Sequence, residues 1–563
     1  MQIVKKTIGS SRRRVLFSSA LLLVSSLTFA QSNVSGTVKD ANGEPLIGVS
    51  VLEVGTQNGA VTDMYGNYKL NVKPGAKLKI SYIGFTPQTV KAGSNSQIVL
   101  QEDNTALNEV VVVGYGTMRR KDVTSSITTV KAEDLNQGVF TDPGQMLQGK
   151  VPGLVVSSTA DPNGSPTITL RGASTLRTGA MSPYYVVDGI PGVDISIVSP
   201  EDIESIDVLR DATATAIYGS KAANGVIIIT TKKGAEEKTN VSYNGYVAFD
   251  NILKKYDVCT ADDLRQYAKD NNITLKDGGA NTDWQDEVLR TGISHNHNVG
   301  ISGGNGSTNY MISADLRKRE GVIKMTGFDR FNVRSLVSTK TLKDHLTISI
   351  GANMMYGKHF GVPSGNEGAS VLDAMNYYSP TNAVKNADGT WTVGSGSKNY
   401  NPLALMEENK SETVWKRNQF VGKTALEIWK GLVWSVNYSW SNYQSTYSAY
   451  NTRNSQLEGI GNKNGQATRN TYFGREQTFE TYLNYDFKVG KSKWGLMGGY
   501  SWEEKKNNDG FGLSVEGYYN DDLGWYNMSY AQTILGVQNS VQSGYLEKVR
   551  NISFYGRVNY SFD

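Results

Sequence analysis

The sequence predicts a mainly β protein, with a small β-sandwich first, a mixed α/β domain next and antiparallel barrel-type strands last. Three observations support this prediction. The 563 residues include 59 Gly but only 13 Pro, together with 31 Tyr and 9 Trp, a composition that favours extended chain with tight turns. Short apolar runs separated by turn residues fill residues 33 to 102. After residue 237, apolar and polar residues alternate, which is typical of strands.

Charge and cysteine content exclude several functional classes. The chain has 57 Lys and Arg against 53 Asp and Glu, and this balance argues against a nucleic-acid partner and against a disordered polyelectrolyte. The one cysteine, Cys259, leaves no internal disulfide framework and no thiolate cluster for a metal. Four His are few for a metalloenzyme of this length.

The first thirty residues have the pattern of a secretory signal peptide. Basic residues at 5–6 and 12–14 precede an apolar stretch from Val15 to Leu27, and small residues surround Ala30. We therefore expect export, with cleavage between Ala30 and Gln31. A membrane anchor is the alternative, but the apolar stretch is shorter than the roughly 18 residues that a spanning helix needs.

Residues 31–103 predict a small β-sandwich. Apolar runs at 34–38, 49–54, 67–72, 78–83 and 98–100 alternate with Gly, Asn and Pro turns. Phrases such as Pro45-Leu46-Ile47-Gly48-Val49 and Ser81-Tyr82-Ile83-Gly84-Phe85 resemble the carboxypeptidase-regulatory-like domain. The resemblance implies no catalysis, because no His in the chain has Glu three residues later to form a zinc-binding pair.

A run of four valines lies in the linker at residues 104–117. β-branched residues favour extended backbone, and an exposed extended run can pair with the sheet edge of another chain. A buried strand of a neighbouring domain is the alternative interpretation, and the pattern alone leaves both open. The candidate coupling segment consists of Leu107, Asn108, Glu109, Val110, Val111, Val112, Val113, Gly114 and Tyr115.

Residues 118–235 predict a mixed α/β domain, with short helices at 132–137 and 143–147 and strands at 168–170, 184–187 and 226–231. Several phrases in this region resemble the plug domain of TonB-dependent outer-membrane transporters, and in detail the SusC/RagA family of Bacteroidota. They include Tyr185-Val186-Val187-Asp188-Gly189 and Ile203-Glu204-Ser205-Ile206-Asp207-Val208-Leu209-Arg210-Asp211-Ala212. In that light the valine run resembles a TonB box, with Asn108 where an acidic residue is expected.

Residues 236–563 predict part of an outer-membrane antiparallel β-barrel. The alternation is clear at 309–316, 346–354, 432–440 and 551–562, with Tyr and Trp abundant, as in strands with lipid on one side and water on the other. A soluble sandwich with one wet face would share the alternation. About ten strands fit the pattern, whereas the resembled family closes a barrel of about 22, so we expect a C-terminally truncated chain or fragment. Polar stretches at 357–414, 448–475 and 504–546 are expected to be extracellular loops.

Three motifs suggest an enzyme, and each fits a structural interpretation better. Gly300-Ile301-Ser302-Gly303-Gly304 matches a nucleophile elbow, but a turn follows the serine where a helix is required. The run 144–150 matches a phosphate loop, but Val151 replaces the hydroxyl residue that would hold Mg²⁺. His295 and His297 share one side of a strand, without a nearby third ligand. We expect no catalytic residue, cofactor or metal.

The resemblance implies an importer in the outer membrane, driven by TonB and its inner-membrane motor proteins and working with a SusD-like surface lipoprotein. Its implied cargo is an oligosaccharide, with an oligopeptide as the chief rival. A surface-binding or adhesin β-protein is an alternative of another class, but it would need neither a plug nor a TonB box. The resemblance further implies that Arg171 and Arg210 hold the plug through barrel carboxylates, while the substrate-binding residues remain unassigned.

Overall fold

The structure, a computed structural model, describes residues 32–562 except for 42, 55, 57, 74, 83–84, 102–109, 113–116, 120–126, 137, 141, 158–165, 173–180, 212–215, 235–237, 363–369, 396–398, 458–462 and 540–546. The chain divides into two compact units. The first lies within residues 1–111 and 117–124, and the second within 112–116 and 125–563.

The first unit contains a two-sheet β-sandwich, which confirms the prediction. Alternation produces its core, since Tyr68, Leu70 and Val72 lie on one side of their strand and are buried there. One sheet has the order β4-β1-β7, and the other β3-β2-β5-β6. The strands are β1 Ser32–Lys39, β2 Ser50–Glu53, β3 Gly59–Val61, β4 Asn67–Val72, β5 Lys77–Ser81, β6 Gln88–Lys91 and β7 Ser94–Val99.

Two short strands follow the sandwich. Strand β8, Val110–Val112, pairs with β9, Thr117–Arg119, in a two-stranded sheet. The three valines of β8 are therefore extended, as the β-branched side chains predict.

A mixed sheet forms the centre of the next domain, whose described residues between 127 and 231 are called the α/β domain below. The sheet order is β10-β15-β16-β13-β14, with β13 and β16 parallel, and β11 pairs separately with β12. Its core is aliphatic, and Ile206, Val208 and Ile227 are almost fully buried. The strands are β10 Ile127–Lys131, β11 Leu154–Ser157, β12 Thr167–Leu170, β13 Tyr184–Val187, β14 Ile190–Pro191, β15 Ile203–Leu209 and β16 Val226–Thr231.

Helices in the α/β domain are short. The 3₁₀ helices are Pro143–Leu147, Ile195–Ile197, Pro200–Asp202 and Ala216–Ala222. The last is interrupted by a kink at Gly219, which has a φ of 66°. The predicted helix at 132–137 is wrong for its described residues, which form turns. The backbone N–H groups of Asp134 and Leu135 both bond to the carbonyl of Lys131, so the segment makes one turn and then leaves the helical path.

A twelve-stranded antiparallel sheet, called the wall below, fills most of the second unit. Its path runs in chain order from β17 to β25 and continues to β28, while β26 pairs with β24 and β27. Ten strands lie on this path, in agreement with the number predicted. They are β17 Asn240–Asp250, β18 Gly292–Gly304, β19 Thr308–Glu320, β20 Gly327–Thr341, β21 Leu346–Gly361, β22 Asn409–Trp429, β23 Leu432–Asn451, β24 Gln466–Val489, β25 Ser492–Asp509 and β28 Glu547–Phe562, joined by β26 Phe511–Glu516 and β27 Thr533–Asn539.

The two faces of the wall differ as the alternation predicts. In β19, Ser313, Asp315 and Arg317 are buried on one face, while Ile312 and Leu316 are about half exposed on the other. The same pattern continues through the neighbouring strands, so the apolar face is the outer one and the polar face lies against the α/β domain. This arrangement is the one found in barrels with lipid outside.

Strands of the wall are longer than predicted, and the predicted loops are correspondingly shorter. The ten strands of the main path span 11 to 24 residues. Strand β21 extends to Gly361, β22 begins at Asn409, β23 extends to Asn451, β24 begins at Gln466 and β25 extends to Asp509. The predicted loop ranges therefore include strand ends. In the first residues of β22, 409–413, and the last residues of β25, 503–509, both faces are polar. The alternation is therefore absent there although backbone pairing continues.

Helices occur between strands on the side opposite the short turns. They are α1 Ala261–Asp270, α2 Trp284–Val288, α3 Val371–Tyr377 and α4 Pro402–Glu408. Trp284, Met375, Tyr378 and Leu405 belong to a small core that joins α2, α3 and α4. Among the helices that the structure describes, none is long and apolar enough to cross a membrane.

Candidate functional site between the α/β domain and the wall

The inner face of strands β18 to β20 is polar and buried beneath the α/β domain. Asn296, Asp315 and Arg317 are at most 1% exposed. Strand alternation places such residues on one face, and burial then requires that their polar atoms find partners. Many of those partners lie in the α/β domain. Met355, Trp415 and Val421 of the wall add apolar contacts with the core of that domain.

Three arginines of the wall form ion pairs with carboxylates of the α/β domain. Arg317 Nη2 lies 3.0 and 2.9 Å from the two carboxylate oxygens of Glu201. Arg334 Nη2 lies 3.3 Å from Asp188 Oδ2. Arg417 Nη1 lies 2.6 Å from Asp194 Oδ2. In each pair the wall supplies arginine and the α/β domain supplies the carboxylate.

Asp188 is held by the turn that contains it. It has a φ of 48° and precedes Gly189, with a φ of 78°, as a tight turn between β13 and β14 requires. Its carboxylate accepts hydrogen bonds from the backbone N–H of Thr231 at 2.9 Å and from the Thr231 hydroxyl at 2.7 Å. Burial opposes ionisation, but Arg334, Lys423 and these hydrogen bonds outweigh it, so the pKa of Asp188 lies below its usual value.

A fourth carboxylate contact involves the 3₁₀ helix Pro200–Asp202. Asp202 Oδ2 accepts a hydrogen bond from the Ser313 hydroxyl at 2.6 Å, and Asp202 Oδ1 accepts one from Asn298 at 3.4 Å. Glu201, the residue before Asp202, pairs with Arg317. Two consecutive acidic residues therefore attach the same short helix to two strands of the wall.

The two arginines singled out in the sequence have described partners within the α/β domain. Arg171 Nη2 lies 2.5 Å from Asp211 Oδ1, and Arg210 Nη1 donates to the Pro152 carbonyl at 3.0 Å. These partners belong to the α/β domain rather than to the wall. Each arginine directly follows a strand of that domain, and the turn returns its side chain to the same domain. Lys221 of this domain pairs with the wall carboxylate Glu503.

A cavity of about 940 Å³ lies between the α/β domain and strands β22 to β25. Asp142, Tyr185 and Asp194 line one side, and Arg417 and Tyr443 line the other. Burial raises the pKa of Asp142 to about 6, in spite of the hydrogen bond that its carboxylate accepts from the Gly144 N–H. At Asp194, burial is outweighed by Arg417 and by the hydrogen bonds of Ser196, so its pKa is lowered.

The predicted coupling segment is described only in part. Val110, Val111 and Val112 form strand β8, whereas Leu107, Asn108, Glu109, Val113, Gly114 and Tyr115 lie outside the described residues. Ala30 and Gln31, the predicted cleavage site, also lie outside them.

The motifs that suggested an enzyme have structural roles. Residues 300–304 are the end of β18 and lead into a turn, so Ser302 has no helix behind it. The ring centroids of His295 and His297 are 5.3 Å apart, and the Tyr243 hydroxyl lies 2.7 Å from His297 Nδ1. Within the described residues, no group of three or more His, Cys, Asp or Glu is arranged to hold a metal ion.

Two family models match the chain. The model for the TonB-dependent Receptor Plug Domain matches residues 119–226. The model for the CarboxypepD_reg-like domain matches residues 34–112. These matches fall on the α/β domain and on the N-terminal sandwich.

Relatives extend the likeness to the wall. The TonB-dependent receptor SusC of Bacteroides thetaiotaomicron is 32% identical over 592 residues, covering 97% of this chain and 57% of its own length. The TonB-dependent receptor P3 of Formosa agariphila is 32% identical over 568 residues, covering 98% of this chain and 55% of its own length. The chain therefore spans a little over half the length of these curated relatives.

Solved structures resemble the fold. The RagAB peptide importer in its open-open state has a TM-score of 0.69 at 22% identity, covering 81% of this chain and 55% of that one. A second RagAB peptide transporter structure has a TM-score of 0.68 at 20% identity, covering 78% and 54%. At these identities the likeness concerns the fold alone.

Proposed function

The chain belongs to the SusC-like TonB-dependent receptors, and from that premise we propose that it imports a large nutrient across the outer membrane. The α/β domain acts as the plug, and the wall encloses it. The cargo that we propose is an oligosaccharide. Because the outer membrane has neither ATP nor an ion gradient of its own, the energy comes mechanically from TonB and its inner-membrane motor proteins.

The observation that carries this proposal is the attachment of the plug to the wall. The described ion pairs Arg317–Glu201, Arg334–Asp188 and Arg417–Asp194 hold a folded domain against the polar inner face of a sheet whose outer face is apolar. A passive pore needs no such domain. These polar contacts can be replaced by contacts with water when the plug is pulled, so they resist displacement less than an interface made only of apolar contacts would.

We assign domain limits accordingly. Residues 1–30 are the signal peptide, 31–103 the carboxypeptidase-regulatory-like sandwich, 104–117 the TonB box and linker, 118–235 the plug and 236–563 the barrel wall with its extracellular loops. The partners that we propose are TonB, a SusD-like surface lipoprotein and outer-membrane lipid. We propose no enzymatic role, since the relatives are receptors.

An oligopeptide is the second candidate cargo, since the structures with the same fold are of a peptide importer and a peptide transporter. A surface-binding or adhesin role is not favoured, because such a protein would not need a plug.

Growth of a strain that lacks this receptor distinguishes an oligosaccharide cargo from an oligopeptide cargo. We expect growth to be lost on at least one oligosaccharide and kept on the corresponding monosaccharide. Growth lost only on peptides would assign the peptide instead.

A further inference from the structure

We propose that the cavity between the plug and strands β22 to β25 binds a neutral, hydroxyl-bearing unit of the cargo, which inserts between Arg417 and Asp194. This inference rests on the proposed function and narrows its substrate class. The cavity, of about 940 Å³, has room for more than one sugar ring, since pockets of roughly 300–1,000 Å³ hold drug-sized ligands.

The charges around the cavity favour a ligand without charge of its own. Arg417 pairs with Asp194 at 2.6 Å, and Lys505 pairs with Glu476 at 2.9 Å. Asp142 also lines the cavity, and its carboxyl, whose pKa burial raises to about 6, weighs further against an anionic ligand and can accept a hydrogen bond from a ligand hydroxyl. An anionic ligand that approaches Arg417 also approaches the Asp194 carboxylate, while a cationic ligand meets the guanidinium. A hydroxyl group can accept a hydrogen bond from Arg417 and donate one to Asp194. It therefore satisfies both partners when it separates them.

Neutral polar groups and aromatic rings complete the lining. Gln419, Ser439 and Ser441 contribute amide and hydroxyl groups. Tyr443 and Tyr472 have ring centroids 5.6 Å apart at 62°. The Arg417 guanidinium lies over the Tyr443 ring, with its carbon 4.8 Å from the centroid. If Arg417 moves to bind a ligand hydroxyl, that ring face becomes available for the apolar face of a sugar.

Arg417 has a hydrogen-bond donor that a ligand could use. Its Nε is buried and makes no hydrogen bond to any described atom. An unsatisfied buried donor costs free energy. When the Arg417 side chain turns from Asp194 towards a ligand, a ligand oxygen can accept from Nε and remove that cost. The hydroxyl-rich ligand therefore completes a site that the ion pair leaves partly unsatisfied.

The same contact connects the cavity to the plug. Asp194 accepts a hydrogen bond from the Ser196 N–H at 2.9 Å and so begins the 3₁₀ helix Ile195–Ile197. Asn332 also holds this helix, donating to the Ile197 carbonyl at 3.2 Å. Arg330 Nη1 donates to the Ser196 carbonyl at 3.3 Å as well. Insertion of a ligand would remove the Arg417–Asp194 attachment of this segment to the wall and leave the contacts of Asn332 and Arg330. We expect local loosening rather than release of the plug.

Binding to the receptor in isolated outer membranes tests the ligand class. The probes are three pools, of neutral oligosaccharides, uronic-acid oligosaccharides and tryptic peptides. We expect retention from the neutral pool, reduced about five- to tenfold by Tyr443→Ala, because an aromatic contact contributes on that scale. Tyr443→Phe should bind as the wild type does. The matched control is Tyr438→Ala, on the same strand but on the outer face, and it should have no effect.

Hydrogen exchange tests the connection to the plug. With the retained ligand bound, exchange at the amides of residues 195–198 should rise, and Asp194→Asn should raise it without ligand. If Asp194 only stabilised the fold, ligand binding would not change hydrogen exchange in residues 195–198. Unchanged or slower exchange in this segment on binding would overturn the insertion.

The remaining outcomes separate this inference from the proposed function. Retention of uronic-acid oligosaccharides as tight as that of neutral ones overturns the inference and leaves oligosaccharide import intact. Retention of peptides alone contradicts the proposed cargo and the inference with it. Retention from none of the pools counts against both.

Discussion

At the residue scale, the side chains that matter most are the arginines of the wall. Arginine suits this place because its planar guanidinium binds a carboxylate through several hydrogen bonds and is less strongly hydrated than an ammonium group. Arg317 is 1% exposed and its partner Glu201 is 18% exposed, whereas Asp194 beside the cavity is 47% exposed. The Arg317 pair is therefore the stronger attachment, and the Arg417 pair is the one that a ligand can reach.

Arg317→Ala should weaken the attachment of the plug. It leaves the Glu201 carboxylate poorly solvated and without its cation, which costs on the order of 3 kcal/mol. Hydrogen exchange of the plug in the receptor, measured in outer membranes, should become faster, and leak of large solutes should increase.

Lys548→Ala is the matched control for Arg317→Ala. Lys548 is 45% exposed and pairs with Glu504 at 3.3 Å, and when it is removed the Glu504 carboxylate keeps Arg550 at 2.7 Å. This variant should leave exchange of the plug unchanged. Equal effects of the two substitutions would show that the Arg317–Glu201 pair does not hold the plug.

The pH dependence of plug stability should reflect the ionisation of Asp142. Because the pKa of its carboxyl is raised from 3.8 to about 6 in the folded protein, the folded plug binds a proton more tightly than the unfolded chain. Its ionisation therefore destabilises the plug above pH 6, by about 3 kcal/mol in full. Stability should fall as the pH rises from 4 to 6 and change little above that.

Asp142→Asn isolates this contribution. Asparagine keeps the acceptor for the Gly144 N–H, a hydrogen bond of 2.7 Å, and cannot ionise. In urea titrations of the plug, the variant should be more stable than the wild type at pH 7 and similar to it near pH 4. A constant difference across this range would mean that Asp142 does not titrate as described.

At the element scale, strand β8 carries the coupling proposal. Val111→Pro or Val112→Pro removes a backbone donor and hinders pairing as an added strand, while Val111→Ala keeps both the donor and the extended geometry. We expect either proline variant to abolish energised uptake and to leave surface binding intact, and the alanine variant to be mild. Receptor amount, surface binding and uptake should be measured on the same cells.

A buried structural strand would give a different result for the proline variants. Proline would then destabilise the fold, and receptor amount, binding and uptake would fall together. Such a joint loss would contradict the assignment of Leu107–Tyr115 as the TonB-binding segment.

Elements were more predictable from the sequence than contacts between them. Period-two alternation, as in Tyr310 to Leu316, depends on local geometry, so it identified the wall strands and their outer face. Their ends were missed because polar residues cover both faces there. The ion pairs were missed because Arg317 and Glu201 lie 116 residues apart, and nothing local in the sequence specifies which buried charges meet.

At the scale of the whole molecule, the plug and the wall belong to one compact unit, and the sandwich belongs to another. Export to the outer membrane is required for any of the proposed activities. We expect the mature protein in the outer membrane to begin at Gln31, after removal of the signal peptide. N-terminal sequencing checks this, and a mature chain that still begins at Met1 would refute the cleavage.

The central claim is that import through this receptor is driven by TonB. The most direct measurement compares surface binding and intracellular accumulation of a labelled oligosaccharide that the receptor retains, in cells with and without TonB and with or without the receptor. We predict that cells without TonB bind the oligosaccharide as well as wild-type cells but do not accumulate it, and that cells without the receptor do neither. Receptor-dependent accumulation that continues at the wild-type rate without TonB would contradict the account.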